Sequence, residues 1–233
     1  MVDKSLNYGR HNIRGFLQNI GSFQSVLDLG AGQGDDLMIA KEIAPSARLY
    51  ALEGYPPYVD ILTRQGIEVF NFDLERERFP FEDESLDVIM VNQVMEHVKD
   101  VYWILHEVSR VLKKGGHFIV GVPNLASLHN RFMLLLGRQP STIRNDSAHV
   151  RGYTKGDFMN LMNSGFPNGY ELAAFKGSNF YPFPPFLAKP LAEMLPSMGV
   201  GIFMSLRKTR SYEGRGYLVY PIEQRLETKF YLG

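Results

Sequence analysis

The stretch from Ser25 to Asp36, Ser-Val-Leu-Asp-Leu-Gly-Ala-Gly-Gln-Gly-Asp-Asp, restricts the fold more than any other part of this sequence. Val26 to Leu29 is a short apolar run of the kind that forms a buried parallel strand. Gly30-Ala31-Gly32-Gln33-Gly34 is a glycine-rich turn, and Asp35 and Asp36 stand where a helix starts. A strand, a glycine loop and a helix N-terminus in succession let backbone approach a nucleotide-like ligand closely. The unit predicts a cofactor site in an α/β sheet.

The rest of the first half supports that sheet. Apolar positions at Leu6, Ile13, Phe16, Leu17 and Ile20 give a helix before the first strand. Asp36 to Ala44 reads as a helix and Arg48 to Leu52 as a strand ending on Glu53-Gly54. Pro56 and Pro57 open a further helix to Gln65. Ile67 to Phe72 is a strand that ends on Asp73, and Asp87 to Val91 is one that ends on Asn92-Gln93. Val101 to Lys113 has helical spacing, and His117 to Val122 forms a fifth strand. This alternation is that of a doubly wound, mostly parallel sheet with helices on both faces.

The second half is less regular. Leu125 to Leu136 reads as a helix, and Thr154 with Asp157 opens another that runs to near Gly165. Tyr170 to Ser178 and Gly199 to Arg207 complete a count of seven strands. Between them, Asn179 to Pro190 is dense in aromatics and prolines and reads as an extended loop packed on its own domain. A lid over an apolar acceptor and a peripheral membrane contact are the other uses open to that run. After Arg210 no periodicity is evident.

Composition narrows the function classes. Lys plus Arg and Asp plus Glu both number 25, so no global charge recruits nucleic acid or an acidic membrane. With no cysteine, disulfides, thiolate metal sites and a cysteine nucleophile are excluded. The N-terminus lacks the apolar core of a signal peptide, and no apolar run approaches the ~20 residues of a membrane span. A soluble, cytoplasmic protein is expected, with a small-molecule substrate and an open oligomeric state.

The glycine spacing is G-x-G-x-G, at Gly30, Gly32 and Gly34. A dinucleotide fingerprint needs glycine or alanine at position 35, where Asp35 would repel a pyrophosphate. A nicotinamide dehydrogenase is thereby disfavoured, and a cofactor without phosphates is favoured. Ser25 to Gly34 resembles the first motif of the class I S-adenosylmethionine-dependent methyltransferases, in particular the type 11-like methyltransferase domain. The resemblance extends through Leu49 to Glu53, Asn71 to Leu74, Phe79 to Asp87, Asn92 to His97 and Glu107 to Gly116, and spans roughly residues 8–180.

The resemblance implies a Rossmann-like seven-stranded sheet with its last strand antiparallel. It divides the chain into a helical segment over the cofactor site (1–24), a methyltransferase domain (25–209) and a C-terminal extension (210–233). Within the domain, 124–169 and 179–198 would form the substrate and lid region. It further implies S-adenosylmethionine as cofactor, with S-adenosylhomocysteine as product. Gly30, Ala31, Gly32 and Gly34 would carry the methionine portion, with Asp28 beneath orienting the loop or the amino group. Glu53, followed by Gly54, would accept the ribose hydroxyls. Asp73 and the Leu74 N–H would take the adenine, and Asn92 and Gln93 would lie beside the reactive methyl. Tyr8, Arg10 and His11 sit where relatives fold a helix over the cofactor.

Methyl transfer from a sulfonium requires in-line approach and a dry site, and a base only where the acceptor keeps its proton. His149 is the candidate base, or else a substrate contact or a loop anchor. Gln93 to His97 with His149 to Thr154 is similar to two metal-using branches whose Glu-x-x-Glu-His supplies ligands. Here Gln93 replaces the first glutamate, so no metal is expected, and Glu96 and His97 are read as orienting their loop. Arg131, Arg138, Arg144 and Arg151 are read as solvated surface, with an acceptor carboxylate or phosphate as the other reading. The expected function is methylation of an oxygen or nitrogen on a small or medium organic acceptor. The alternatives are a metal-assisted RNA 2′-O-methyltransferase and a non-catalytic cofactor-binding interaction protein.

Overall fold

The computed structural model describes residues 4–224 and 226. Seven strands form one sheet: β1 (Ser25–Leu29), β2 (Arg48–Leu52), β3 (Glu68–Phe70), β4 (Leu86–Asn92), β5 (Leu112–Pro123), β6 (Tyr170–Ser178) and β7 (Gly201–Lys208). Their order across the sheet is β3-β2-β1-β4-β5-β7-β6. The pairs from β3 to β5 are parallel, and β7 runs antiparallel to both β5 and β6. The helices are α1 (Arg10–Ile20), α2 (Asp35–Ile43), α3 (Pro56–Arg64), α4 (Val101–Val111), α5 (Leu128–Leu135), α6 (Lys155–Ser164), α7 (Pro185–Met194) and α8 (Gly216–Glu223).

The strands alternate their side chains between two cores, as a period of two requires. In β4, Val88 and Met90 join Val26 of β1 and Ile13, Leu17, Leu37 and Leu62 of α1 to α3 on one face. Ile89 and Val91 join Leu27, Leu29, Ile104, Val108 and Phe158 on the other. Helices thus cover both faces, so β1 and β4 are buried on each side and read as apolar runs.

Local chemistry sets the helix starts. The Asp100 carboxylate accepts the Trp103 N–H at 3.0 Å to open α4. Thr154 accepts the Asp157 N–H at 3.2 Å while its hydroxyl donates to the Asp157 carboxylate at 2.7 Å, opening α6. Helix α4 stops two residues short of the expected Lys113. The Arg110 guanidinium there is locked onto Glu107, Asp83 and the carbonyls of Phe79 and Phe81. Ser85 N–H takes the Val111 carbonyl, and Leu112 then pairs with Leu86 as the first rung of β5. Lys113 therefore sits on a strand and holds Asp87 at 2.7 Å.

Two expectations for the second half are corrected. Asn179 to Pro190 is not wholly an extended loop, because α7 starts at Pro185 and buries Ala188 and Ala192 against Phe180. Proline fits a helix's first turn, where its missing N–H is not needed, so a proline-rich run can end in a helix. The stretch after Arg210 contains α8, which buries Tyr217 and packs on α4. Pro221 inside that helix disguises its period.

Candidate functional site

The glycine loop is fixed by its own backbone. Gly30 N–H donates to the Leu52 carbonyl at 2.7 Å, and Gly34 N–H donates to Ala31 at 2.9 Å. Gly30 has φ +70°, and a Cβ there would stand 2.7 Å from Val94 Cγ2. Gly34 caps α2 at φ +85°, where a Cβ would meet Leu62 at 2.7 Å. Both positions therefore need glycine. Glu53, at the end of β2, accepts the Gly32 N–H at 2.8 Å and the Tyr55 N–H at 2.9 Å.

Beside this loop, at the carboxyl ends of β1 and β4, lies a cavity of ≈ 410 Å³ closed from the N-terminal side by Tyr8 and Arg10. Its floor is acidic. Asp28 is 3% exposed, and burial, reinforced by the charges of Asp36 and Glu53, pushes its carboxyl well above the usual range. Burial likewise raises Asp36, against a hydrogen bond from Asn92 and the charge of Arg10. Asn92 donates to Asp36 at 2.8 Å and to the Tyr8 carbonyl at 3.0 Å, tying β4 to the N-terminal segment. Arg10 lies 2.7 Å from Asp35 and 3.5 Å from Asp36.

Six buried side-chain atoms among the described residues lack a hydrogen-bond partner: Arg10 Nε, Asp36 Oδ1, Gln65 Oε1, Asn92 Oδ1, Gln93 Nε2 and Glu96 Oε2. All but Gln65 belong to residues that line this cavity; Arg10 Nε and Asp36 Oδ1 face each other as an ion pair at 3.5 Å, which leaves Asn92 Oδ1, Gln93 Nε2 and Glu96 Oε2 unspent. An unpaired buried polar group costs about 1–3 kcal/mol, so their concentration here marks a surface built for a polar ligand.

At the far wall, Glu96, His97 and His149 place one ligand atom each within 4.8 Å of one another. His97 Nδ1 lies 3.1 Å from the Ala148 carbonyl, and His149 Nδ1 lies 2.8 Å from that of Thr142. A carbonyl only accepts, so each Nδ1 carries a proton and each neutral ring presents Nε2 as its lone pair. Burial raises the Glu96 carboxyl to about 7. The sequence assigned Glu96 and His97 to loop orientation. The Glu96 main chain does hold the loop, through its carbonyl to Val150 and Arg151 N–H, but its carboxylate Oε2 is unspent.

Of the residues anticipated from sequence, Asp28, Gly30, Ala31, Gly32, Asn92, Gln93 and His149 line the cavity. Gly34 stands at the head of α2, and Glu53 with Gly54 lies behind the loop that Glu53 braces. Asp73 and Leu74 are outside the lining, and the Asp73 carboxylate accepts the Glu75 N–H at 3.0 Å. The arginines of the β5–α6 segment are engaged locally: Arg131 with Ala126, Arg144 with Asp146, and Arg151 with the carbonyls of Val98 and Lys99. Asp36, Tyr58 and Val94 were not anticipated at the cavity. Asp36 passed as a helix-start acid, although its place one residue into α2 aims it at Asn92.

A family model described as a methyltransferase domain matches residues 27–120, the stretch from β1 into β5 that builds the loop and the cavity's main wall. That match covers about two-fifths of the chain. A demethylmenaquinone methyltransferase from Thermus thermophilus is 31% identical over 99 residues, 41% of this chain and 45% of that protein. An uncharacterized 37.1 kDa protein in a Streptomyces fradiae transposon is 35% identical over 111 residues, 45% of this chain and 32% of that protein. The chain therefore spans less than half the length of either relative. The crystal structure of an S-adenosylmethionine-dependent methyltransferase from Archaeoglobus fulgidus shares its fold, with TM-score 0.60, 13% identity, and coverage of 86% of this chain and 93% of that one.

Proposed function

We propose that this protein transfers a methyl group from S-adenosylmethionine to an oxygen or nitrogen of a small or medium organic acceptor. The observation that carries this reading is the cavity beside Gly30–Gly34, where three unpaired buried polar atoms, Asn92 Oδ1, Gln93 Nε2 and Glu96 Oε2, and the acids Asp28 and Asp36 surround one polar, cation-accepting space. Arg10 is its one arginine or lysine and is already paired with Asp35, which suits an ammonium and a sulfonium better than a pyrophosphate.

When bound, the sulfonium supplies an electrophilic methyl. Gly30 to Gly34 and Asp28 would hold the amino-acid end. Glu53 keeps free lone pairs for ribose hydroxyls after accepting two N–H groups, since a carboxylate offers about four acceptor sites. Asn92 Oδ1 and Gln93 Nε2 would complete the polar wall near the transferred carbon. His149 and Glu96 line the same cavity, and either the His149 Nε2 or the Glu96 carboxylate would take the proton of an acceptor hydroxyl. The readout is calorimetric titration with S-adenosylhomocysteine: one site per chain is expected, weakened by Glu53→Ala. Absence of any binding heat and of any thermal shift would overturn the reading.

A second reading, metal-assisted methylation of an RNA 2′-hydroxyl, is favoured by one observation, the Glu96–His97–His149 cluster with both Nε2 atoms presented. Two imidazoles and a carboxylate fit Zn²⁺ or Fe²⁺ in type and number. They would bind the ion and leave positions open for substrate oxygens. Activity that survives chelator and His149→Ala together removes this reading and leaves the first.

A further inference from the structure

Fifteen large apolar residues are exposed among the described residues, and nine of them lie within residues 132–136 and 181–195. On α5, Leu128 and Asn130 turn inward, while Phe132, Leu134 and Leu135, with Leu136 after it, are 57–79% exposed. With only Met133 of the last turn half-buried, most of that turn is exposed, which makes this a projecting tip rather than a flat face. On α7, Phe186 and Met194, two helical turns apart on one side, are 75% and 76% exposed, while Ala188 and Ala192 pack inward. The two helices adjoin: Leu128 packs on the Ala188–Ala192 cluster, and the His129 and Tyr181 rings are 5.3 Å apart.

We propose that the α5 tip, with the exposed stripe of α7, docks this protein on an anionic lipid surface. Charge selects that occupant. Arg144 is paired with Asp146 at 2.7 Å, which leaves Arg131 and Arg138 as the cations beside the apolar run, with no aspartate or glutamate in 124–145. Arg131 and Arg138 flank the Phe132–Leu136 run, an apolar wedge between cations as interfacial segments have it. A protein partner would be met better by a flat patch with a mixed polar rim.

The tip is wired to the cavity. Asn130 accepts the Ser141 N–H at 3.0 Å and donates to the Thr142 hydroxyl at 3.3 Å. The Thr142 carbonyl in turn holds His149. Docking therefore sets the His149 side of the cavity close to the lipid, and the acceptor is an amphiphile drawn from it. That last clause rests on the proposed methyl transfer; the docking itself does not.

The test is co-sedimentation of the full chain with vesicles of equal parts phosphatidylcholine and phosphatidylglycerol, and with phosphatidylcholine alone. Binding to the anionic vesicles is expected, weakened by salt, and lowered about tenfold or more by Leu135→Glu, the most exposed of these leucines. Phe186→Glu is the second variant, and an unchanged melting temperature shows that each has folded. Failure to bind anionic vesicles overturns the proposal, as does binding that both variants retain. Self-association abolished by Leu135→Glu without any vesicle binding assigns the face to a second copy and also overturns it. Titration with S-adenosylhomocysteine is run on the same samples. Its failure alone removes the methyltransferase reading and leaves the docking standing.

Discussion

Glu96→Gln is the most informative substitution at the cavity wall. Glu96 is 2% exposed, its Oε2 has no partner, and burial lifts its carboxyl from the ordinary 4.5 to about 7. A carboxyl raised in the folded state favours folding while protonated and opposes it once ionised. The penalty is absent below pH 4.5, grows through the interval to 7 and is complete above it. At 1.36 kcal/mol per pKa unit it amounts to about 3 kcal/mol at pH 8. Glutamine keeps the shape and stays neutral, so it removes the penalty. Urea unfolding with chelator present should show nearly equal stabilities at pH 5, with the variant ahead by about 2–3 kcal/mol at pH 8. Asp28 and Asp36 titrate in both proteins and cancel in the comparison. Parallel pH profiles of the two proteins would refute the assignment of a strained, unspent carboxylate here.

Three further outcomes follow from the same structure. Gly30→Ala puts a Cβ against Val94 at a left-handed φ, at about 1–2 kcal/mol of backbone strain, and should weaken S-adenosylhomocysteine binding at least tenfold by calorimetry. Glu53→Ala frees the N–H groups of Gly32 and Tyr55 and should cost about 10- to 100-fold in that same affinity, against little change for Asp73→Ala if Asp73 stays outside the site. Arg110→Ala leaves the Glu107 carboxylate, 1% exposed, buried without its cation, and should destabilise by about 3–5 kcal/mol in urea, partly restored by Glu107→Gln in the same chain.

The half of the molecule before Pro123 was legible because its signals are local. Apolar runs of four or five residues, a glycine turn, and prolines at helix starts each act within one element, and β1, β2, β4, α3 and α4 follow them closely. The cavity was legible where it is made of that loop and the strand ends. It was not legible where partners meet across the fold. Asp36 becomes a cavity residue only through Asn92, 56 positions on, and Glu96, His97 and His149 meet only because the β5–α6 segment folds back. Glu107 and Arg110 are three residues apart, yet the hold on Asp83 and the Phe79 and Phe81 carbonyls that ends α4 is tertiary. Helices α7 and α8 contain prolines and bury few side chains, so they leave a weak periodic trace.

Strand β7 occupies the gap between β5 and β6, although both precede it in the chain. On the ribosome, therefore, the edge strand β6 emerges before β7, the strand it pairs with, and β5 presents an open edge until residues 201–208 arrive. The sheet closes by insertion of its final member. A nascent chain halted before Gly201 would hold the glycine loop and most of the cavity wall, but with two unsatisfied edges, and would be a substrate for chaperones rather than a smaller working protein.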